Sequence, residues 1–305
     1  MEMTEKSHKI PAVAALVFTA LIWGSTFVMM KNTLGSLSPA YLLAIRFVIA
    51  SVFLFLIFIG KIKMLSLSYI IPSAIAGFLT VVAYLFQTYG LKYTTPGKNA
   101  FLTSIYCIIV PFLYWIFVKR KPGWYNFLAA AVCVVGVGLV SMDFADGFSI
   151  GIGEILTLCC SVFYALQIMY MARCSKKLFM GLFVALHFAF ATVFSLIFTL
   201  IFEKNTFSSL SSEMLPDILY LALFASAIAL FLQNYGIKYC SASSGALILS
   251  LESVFGVIFS AIAGMEDAFT LQKIVGFVLV FASIIISETK LEFLMKKKSK
   301  TEPSS

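Results

Sequence analysis

Phe86-Gln87-Thr88-Tyr89-Gly90-Leu91-Lys92-Tyr93 recurs 146 residues later as Leu232-Gln233-Asn234-Tyr235-Gly236-Ile237-Lys238-Tyr239, with Gln, Tyr, Gly, Lys and Tyr at the same spacing. The match runs on through Ala100 and Ala246 and through Ser104 and Ser250. A weaker pairing, at an offset of about 141, sets Ile45-Arg46-Phe47 against Leu186-His187-Phe188. The chain therefore reads as a duplication. What each copy contains follows from the apolar runs around these stretches.

The 305 residues are 61% hydrophobic and 12% charged, with a mean hydropathy of +1.00. Soluble domains are about 25% charged, so this composition excludes an ordinary soluble protein. Apolar runs bounded by charges, Gly and Pro predict spans at 11–30, 39–59, 70–90, 99–118, 124–141, 150–171, 179–202, 216–236, 244–264 and 271–288. Each approaches the ~20 residues needed to cross a hydrocarbon core ~30 Å thick. The expected fold is an all-α membrane protein of ten transmembrane helices. Its first five-helix repeat is 11–145 and its second is 146–290, with a head at 1–10 and a basic tail at 291–305. Five is odd, so the second copy must enter the membrane from the opposite side. Such an inverted repeat is the architecture of many secondary transporters.

Charge placement sets the orientation. With the N-terminus inside, sixteen of the 22 Lys and Arg residues fall on the N-terminal side of the membrane. Five lie opposite (Lys31, Lys92, Lys98, Lys204 and Lys273), and Arg46 lies within a span. Basic residues concentrate on the cytoplasmic side, which puts both termini in the cytoplasm and the protein in the cytoplasmic membrane as a multi-pass chain. The net charge of +8 is thus the sum of two opposed faces and gives no reason to expect nucleic acid. The first span is longer than the ~7–15-residue apolar core of a signal peptide and reads as a retained helix. Cys107, Cys133, Cys159, Cys160, Cys174 and Cys240 form no C-x-x-C and read as small apolar packing residues. No metal and no cofactor is expected.

The stretch Gly90 to Ser104, with Trp23-Gly24-Ser25 in the first span, Arg46-Phe47 in the second and Leu251-Glu252-Ser253-Val254-Phe255 in the ninth, resembles the EamA type of the drug/metabolite transporter superfamily. The resemblance covers nearly the whole chain. It implies a ten-helix bundle whose central cavity is lined mainly by spans 1, 3, 4, 6, 8 and 9. It also implies movement of small metabolites, amino acids and related compounds among them, across the cytoplasmic membrane. The expected partners are a small-molecule substrate and the lipid bilayer, with a homodimer left open. The sequence departs from the family where Lys119-Arg120 follows the fourth span and where Ser253 follows Glu252.

Ionisable groups inside a bilayer cost about 2.5–3.5 kcal/mol at a helix centre on insertion scales and tend to face the bundle interior with a partner. Glu252, Arg46 and His187 lie at such depth. Glu252, near mid-span, suits proton coupling or a cationic substrate group, or else a hydrogen-bonded brace between helices. Arg46 needs a carboxylate or several carbonyls around its fork and reads as structural, with an anionic substrate group as the alternative. His187, its counterpart, is either a satisfied core residue or a proton relay. Neutral cavity candidates are Trp23, Thr26, Tyr84, Gln87, Asn99, Thr103, Tyr106, Tyr164, Gln167, Gln233 and Ser250. An aromatic wall with a few convergent polar groups suits a small amphipathic ligand. The same residue types also join helices in lipid.

Gly147-Phe148-Ser149-Ile150-Gly151 satisfies the G-x-S-x-G pattern, but the hydrolase elbow needs a preceding strand and a His in reach. A turn opening the sixth helix, with Glu154 near its positive end, is the better account. Walker, Rossmann and H-E-x-x-H patterns are absent from the sequence, so any energy for transport comes from gradients. The leading expectation is a secondary transporter or exporter of an amino acid or related amphipathic compound. A drug-like cation, nucleoside or organic acid is the alternative substrate, and a membrane-embedded enzyme or sensor is the alternative class. The orientation predicts that green fluorescent protein fused after Ser305 fluoresces in cells while alkaline phosphatase fused there is inactive. The opposite pair of results would reverse the topology.

Overall fold

The structure is a computed structural model that describes residues 2–119, 121–141, 150–203, 210–240, 242–265 and 270–289. Among these, all regular structure is helical. The helices are α1 (Glu2–Thr33), α2 (Pro39–Phe58), α3 (Leu67–Tyr93), α4 (Pro96–Thr103), α5 (Tyr106–Val118), α6 (Trp124–Ser141), α7 (Ile152–Cys174) and α8 (Met180–Phe202). They are followed by α9 (Leu215–Tyr220), which continues through a π-helical segment (Leu221–Ile228) into α10 (Ala229–Tyr239), and by α11 (Ala242–Leu249), α12 (Leu251–Ile262) and α13 (Leu271–Thr289). The basic tail and most of the G-x-S-x-G stretch lie outside the described residues. Gly151 of that stretch caps α7.

Seven helical segments are long and apolar enough to cross a membrane: Ile10–Thr33, Pro39–Met64, Leu67–Tyr93, Pro96–Phe117, Ile152–Cys174, Met180–Phe202 and Ser212–Tyr239. Three shorter apolar helices accompany them: Trp124–Leu139, Leu251–Ile262 and Leu271–Ile286. Two details differ from the sequence reading. The N-terminal head is continuous with α1, which starts at Glu2. The runs 99–118 and 244–264 are each interrupted by a tightened turn, at Ser104 and Ser250, where the backbone stays right-handed with nearly the same angles (φ −62°, ψ −11° and φ −62°, ψ −12°) and hydrogen bonds pass to three-residue spacing (Cys107 N to Ser104 O, Ser253 N to Ser250 O). Hydropathy could not reveal the breaks, because the residues on either side are as apolar as those of an unbroken span.

The most extensive interfaces pair an element of one half with an element of the other: α2 with α8, α3 with α7, α6 with α13, α1 with α10 and α12, and α4 with α12. At the centre of the first of these, Phe47 and its counterpart Phe188 meet with ring centroids 5.5 Å apart. The Glu203 carboxylate at the end of α8 accepts from Ala40 N (2.9 Å), Tyr41 N (3.0 Å) and Ser38 Oγ at the start of α2, so these two counterpart helices run in opposite directions. An acidic group at a helix N-terminus satisfies orphan N–H donors and meets the positive end of the dipole.

Close approach is written into the repeated glycines. A Cβ on Gly90 would sit 2.9 Å from the Gly153 carbonyl and closer still to Thr157 Oγ1, so α3 and α7 touch through backbone. The repeat counterpart Gly236 meets Leu16, which lies 141 residues before Thr157. Small residues that let backbones approach are the usual means of helix association in lipid, where no hydrophobic force separates helix from solvent.

Candidate functional site

The two helix breaks bring polar side chains into the bundle centre. A cavity there is lined by Trp23, Thr26 and Phe27 of α1; Tyr84 and Gln87 of α3; Thr103 of α4; Tyr106 of α5; Tyr164, Gln167 and Ile168 of α7; Leu230 and Gln233 of α10; and Glu252 of α12. Its volume is only ≈ 20 Å³. A ligand must therefore displace side chains to enter.

The lining is ordered by the duplication. An offset of 141 relates Trp23 to Tyr164, Thr26 to Gln167 and Phe27 to Ile168, and an offset of 146 relates Tyr84 to Leu230, Gln87 to Gln233 and Tyr106 to Glu252. Six counterpart pairs thus surround the cavity, and Thr103 is the remaining lining residue. Every pair draws one member from each half.

Ten of the twelve residues singled out for the cavity line it; Asn99 and Ser250 do not. Asn99 is fully buried behind the wall, where its Nδ2 donates to Gln87 O (3.2 Å) and Thr157 Oγ1 (2.7 Å), tying α4 to α3 and α7. Ser250 is the junction between α11 and α12. Phe27, Ile168 and Leu230 were not anticipated, because an apolar side chain in an apolar span carries no polarity signal. The repeat offset carries a signal for Leu230, the counterpart of Tyr84, but not for Phe27 and Ile168, which are counterparts of one another.

Within the wall, Tyr164 OH donates to Gln87 Oε1 (2.9 Å), Gln87 Nε2 donates to Thr103 Oγ1 (3.3 Å), and Trp23 Nε1 donates to Ala225 O (2.9 Å). Tyr84 and Tyr106 both pack edge-on to Tyr164, with centroids 5.4 and 6.3 Å away. The Glu252 carboxyl stands beside the Tyr106 hydroxyl. Neither Glu252 Oε1 nor Tyr106 OH has a partner of normal hydrogen-bond geometry, and both are buried.

Arg46 and His187 stand one layer out, and they too are related by the repeat. Arg46 Nε donates to Ser226 Oγ (2.9 Å), and His187 Nε2 bonds Thr80 Oγ1 (2.8 Å). Ser226 lies 146 residues after Thr80, so these are the same contact made twice. Ser226 is held in turn by the π-helical segment, donating to Leu221 O five residues back (2.9 Å). Arg46 does not pair with Glu252. Its remaining surroundings are Met30 Sδ (3.5 Å) and the faces of Phe47 and Tyr84, 5.7 and 5.0 Å from the guanidinium carbon. Aromatic faces attract a cation through the ring quadrupole, which takes the place of the carboxylate or carbonyls expected from sequence. His187 reaches the cavity only through Thr80, to which Gln167 Nε2 also donates (3.4 Å).

The two ends of the bundle differ. At the end where α1 and α3 finish, Lys31 Nζ donates to Leu91 O (2.8 Å) and Thr94 O (2.7 Å), capping the carbonyl end of α3. Glu203 there also accepts from Tyr89 OH (2.7 Å), and Glu154 accepts from Thr94 Oγ1 (2.8 Å) and pairs with Lys98 (3.8 Å). The repeat counterparts of Lys31, Leu91 and Thr94 are Ala172, Ile237 and Cys240. These three line an open groove at the other end, with ≈ 610 Å³ of accessible space and Arg173, Lys176 and Lys177 at its rim. The lysine that caps α3 at one end has no lysine at its counterpart position, where Ala172 stands.

Residues 10–142 and 151–289 each match the EamA-like transporter family. The chain belongs to that family, within the drug/metabolite transporter superfamily, and is a multi-pass membrane transporter. An uncharacterized transporter from Archaeoglobus fulgidus is 33% identical over 284 residues, 93% of this chain and 88% of its own. The uncharacterized transporter YvbV of Bacillus subtilis is 22% identical over 277 residues, 90% of each chain. A crystal structure of 14% identity superposes with a TM-score of 0.69, covering 95% of this chain and 99% of the other, and so shares its fold.

The Tyr164–Gln87 bond generates a test. Tyr164→Phe strands a buried amide oxygen and should lose ~1–3 kcal/mol of stability, whereas removing both partners comes closer to neutral. In thermal unfolding of the detergent-purified protein, the Tyr164→Phe, Gln87→Leu double variant is expected to lose less than the two single variants together. Strictly additive losses would show that the bond contributes nothing.

Proposed function

We propose that this chain is a secondary transporter built as ten membrane crossings in two inverted five-helix repeats, with both termini in the cytoplasm. It moves a small amphipathic metabolite, an amino acid or related compound, across the cytoplasmic membrane by alternating access. The observation that carries this reading is the cavity lined by six counterpart pairs. A ligand bound between two antiparallel copies of one scaffold meets two near-equivalent ways of packing them, one open to each side. The contrast between the Lys31 latch and the open groove at the counterpart position supports the same reading, since it is the asymmetry expected of one of those two states. With the termini inside, the latched end is the outer one.

Glu252 is the coupling group in this account. It is 3% exposed, lies at the first turn of α12 beside the helix break, and is the one acidic side chain among the described residues that line the cavity. His187, fully buried and bonded to Thr80, fits a positioning role behind the wall better than a relay.

Proteoliposomes test both levels. Saturable counterflow of at least one solute from a panel of amino acids, amines, nucleosides and organic acids is expected of the wild type. Its absence across the panel would overturn transport by this chain alone. For a transported solute, Glu252→Gln should abolish accumulation driven by a pH gradient. Unchanged accumulation would remove Glu252 from the coupling step.

A further inference from the structure

The cavity carries one carboxyl, Glu252, and no Lys or Arg among its described lining residues. Five donors of the lining are already committed: Trp23 Nε1 to Ala225 O, Thr26 Oγ1 to Trp23 O, Gln87 Nε2 to Thr103 Oγ1, Gln167 Nε2 to Thr80 Oγ1 and Tyr164 OH to Gln87 Oε1. Glu252 Oε1 and Gln233 Oε1 are buried lining acceptors without a hydrogen-bond partner of normal geometry, and Tyr106 OH, which can donate as well as accept, stands beside the Glu252 carboxyl. All three side chains are at least nine-tenths buried, with exposures of 3%, 1% and 2%. An unmade hydrogen bond at a buried acceptor is expensive, more so for a charged one, so a complementary ligand is one that brings donors.

The positive side chains nearby are engaged elsewhere. Arg46 is not part of the lining; it is spent on Ser226, Met30 and the faces of Phe47 and Tyr84. Lys31 caps α3 and Lys98 pairs with Glu154. A ligand carboxylate would thus meet Glu252 with no Lys or Arg among the described lining residues to balance it. Five aromatic rings, of Trp23, Phe27, Tyr84, Tyr106 and Tyr164, complete a wall suited to a cation with a hydrocarbon body.

On the reading of this cavity as the substrate site, we infer that it selects a solute carrying a protonated primary or secondary amine and no carboxylate. The ammonium donates to Glu252 Oε1, with Gln233 Oε1 as a second acceptor, and the apolar body lies against the aromatic rings. This narrows the amino-acid-related class to its amines. Glu252 is the specificity-determining charge, and Gln233 makes the site count N–H groups as well as charge.

The test compares three ligands that share a phenethyl body: phenethylamine, its N,N,N-trimethyl derivative and phenylalanine. Binding is measured by titration calorimetry on the full-length protein in detergent. Phenethylamine is expected to bind, and the other two to bind at least about tenfold more weakly, the loss that follows from a missing charged hydrogen bond or an added repulsion. Glu252→Gln and, by a smaller factor, Gln233→Leu should weaken phenethylamine. If Glu252→Gln does not fold, Gln233→Leu, Tyr106→Phe and the wild-type ligand series still decide. Phenylalanine binding as tightly as phenethylamine, no binding of the amine, or full binding by the folded variants would overturn the inference. Counterflow in proteoliposomes separates this from the transport reading. Binding of the amine with no flux would leave the amine class standing and count against transport. Flux of phenylalanine but not of phenethylamine would do the reverse.

Discussion

Hydrocarbon offers a peptide group nothing to bond, so a membrane-spanning chain must satisfy its backbone within its own helices, and irregular backbone survives there only where protein or a cavity surrounds it. This chain breaks two helices, at Ser104 and Ser250, with matching geometry. Both breaks are fully buried, shielded from lipid by the helices that flank them. The arrangement of the centre depends on that shielding. The breaks start α5 and α12 inside the bundle and bring the Tyr106 hydroxyl and the Glu252 carboxyl side by side in one cavity. The Gly90 contact with α7 and the Glu203 cap on α2 hold the surrounding helices closely enough to bury them.

The duplication preserves contacts and lets chemistry diverge. Arg46 to Ser226 and His187 to Thr80 are one hydrogen bond in two copies, with a permanent cation in one and an imidazole in the other. Within the cavity, Tyr106 faces its counterpart Glu252, Trp23 its counterpart Tyr164, and Thr26 its counterpart Gln167. Gln87 and Gln233 alone keep the same identity, and even they differ in use. Gln87 bonds Tyr164 and Thr103, whereas Gln233 Oε1 is unpartnered. A symmetric scaffold thus carries an asymmetric site.

Much of this was legible in the sequence. The helical, membrane-embedded class follows from hydropathy, the duplication from the Q-x-Y-G-x-K-Y repeat, and most of the cavity wall from polar and aromatic residues at depth. Three things were hidden, each for a physical reason. The helix breaks carry no polarity change. Phe27, Ile168 and Leu230 of the wall look like any lipid-facing residues, and only Leu230 is flagged by its counterpart, Tyr84. The engagement of Arg46 by aromatic faces instead of a carboxylate depends on Tyr84 arriving from another helix. Lys31 was read only as an outer-face charge and Glu203 carried no reading; their capping of α3 and α2 depends on which helix ends meet, which composition does not specify.

The account stands on the two ends of the bundle being alternatives of one another. Spin labels at Ser36 and Lys92 report on the latched end, and labels at Lys176 and Lys238 report on the grooved end. Pulsed electron-resonance distances from both pairs, recorded in lipid with and without a transported solute, test the central claim most directly. The expected result is two populations at each end that trade in opposite senses, one end narrowing as the other widens. Distances that stay fixed at both ends, or that widen together, would contradict alternating access between inverted halves.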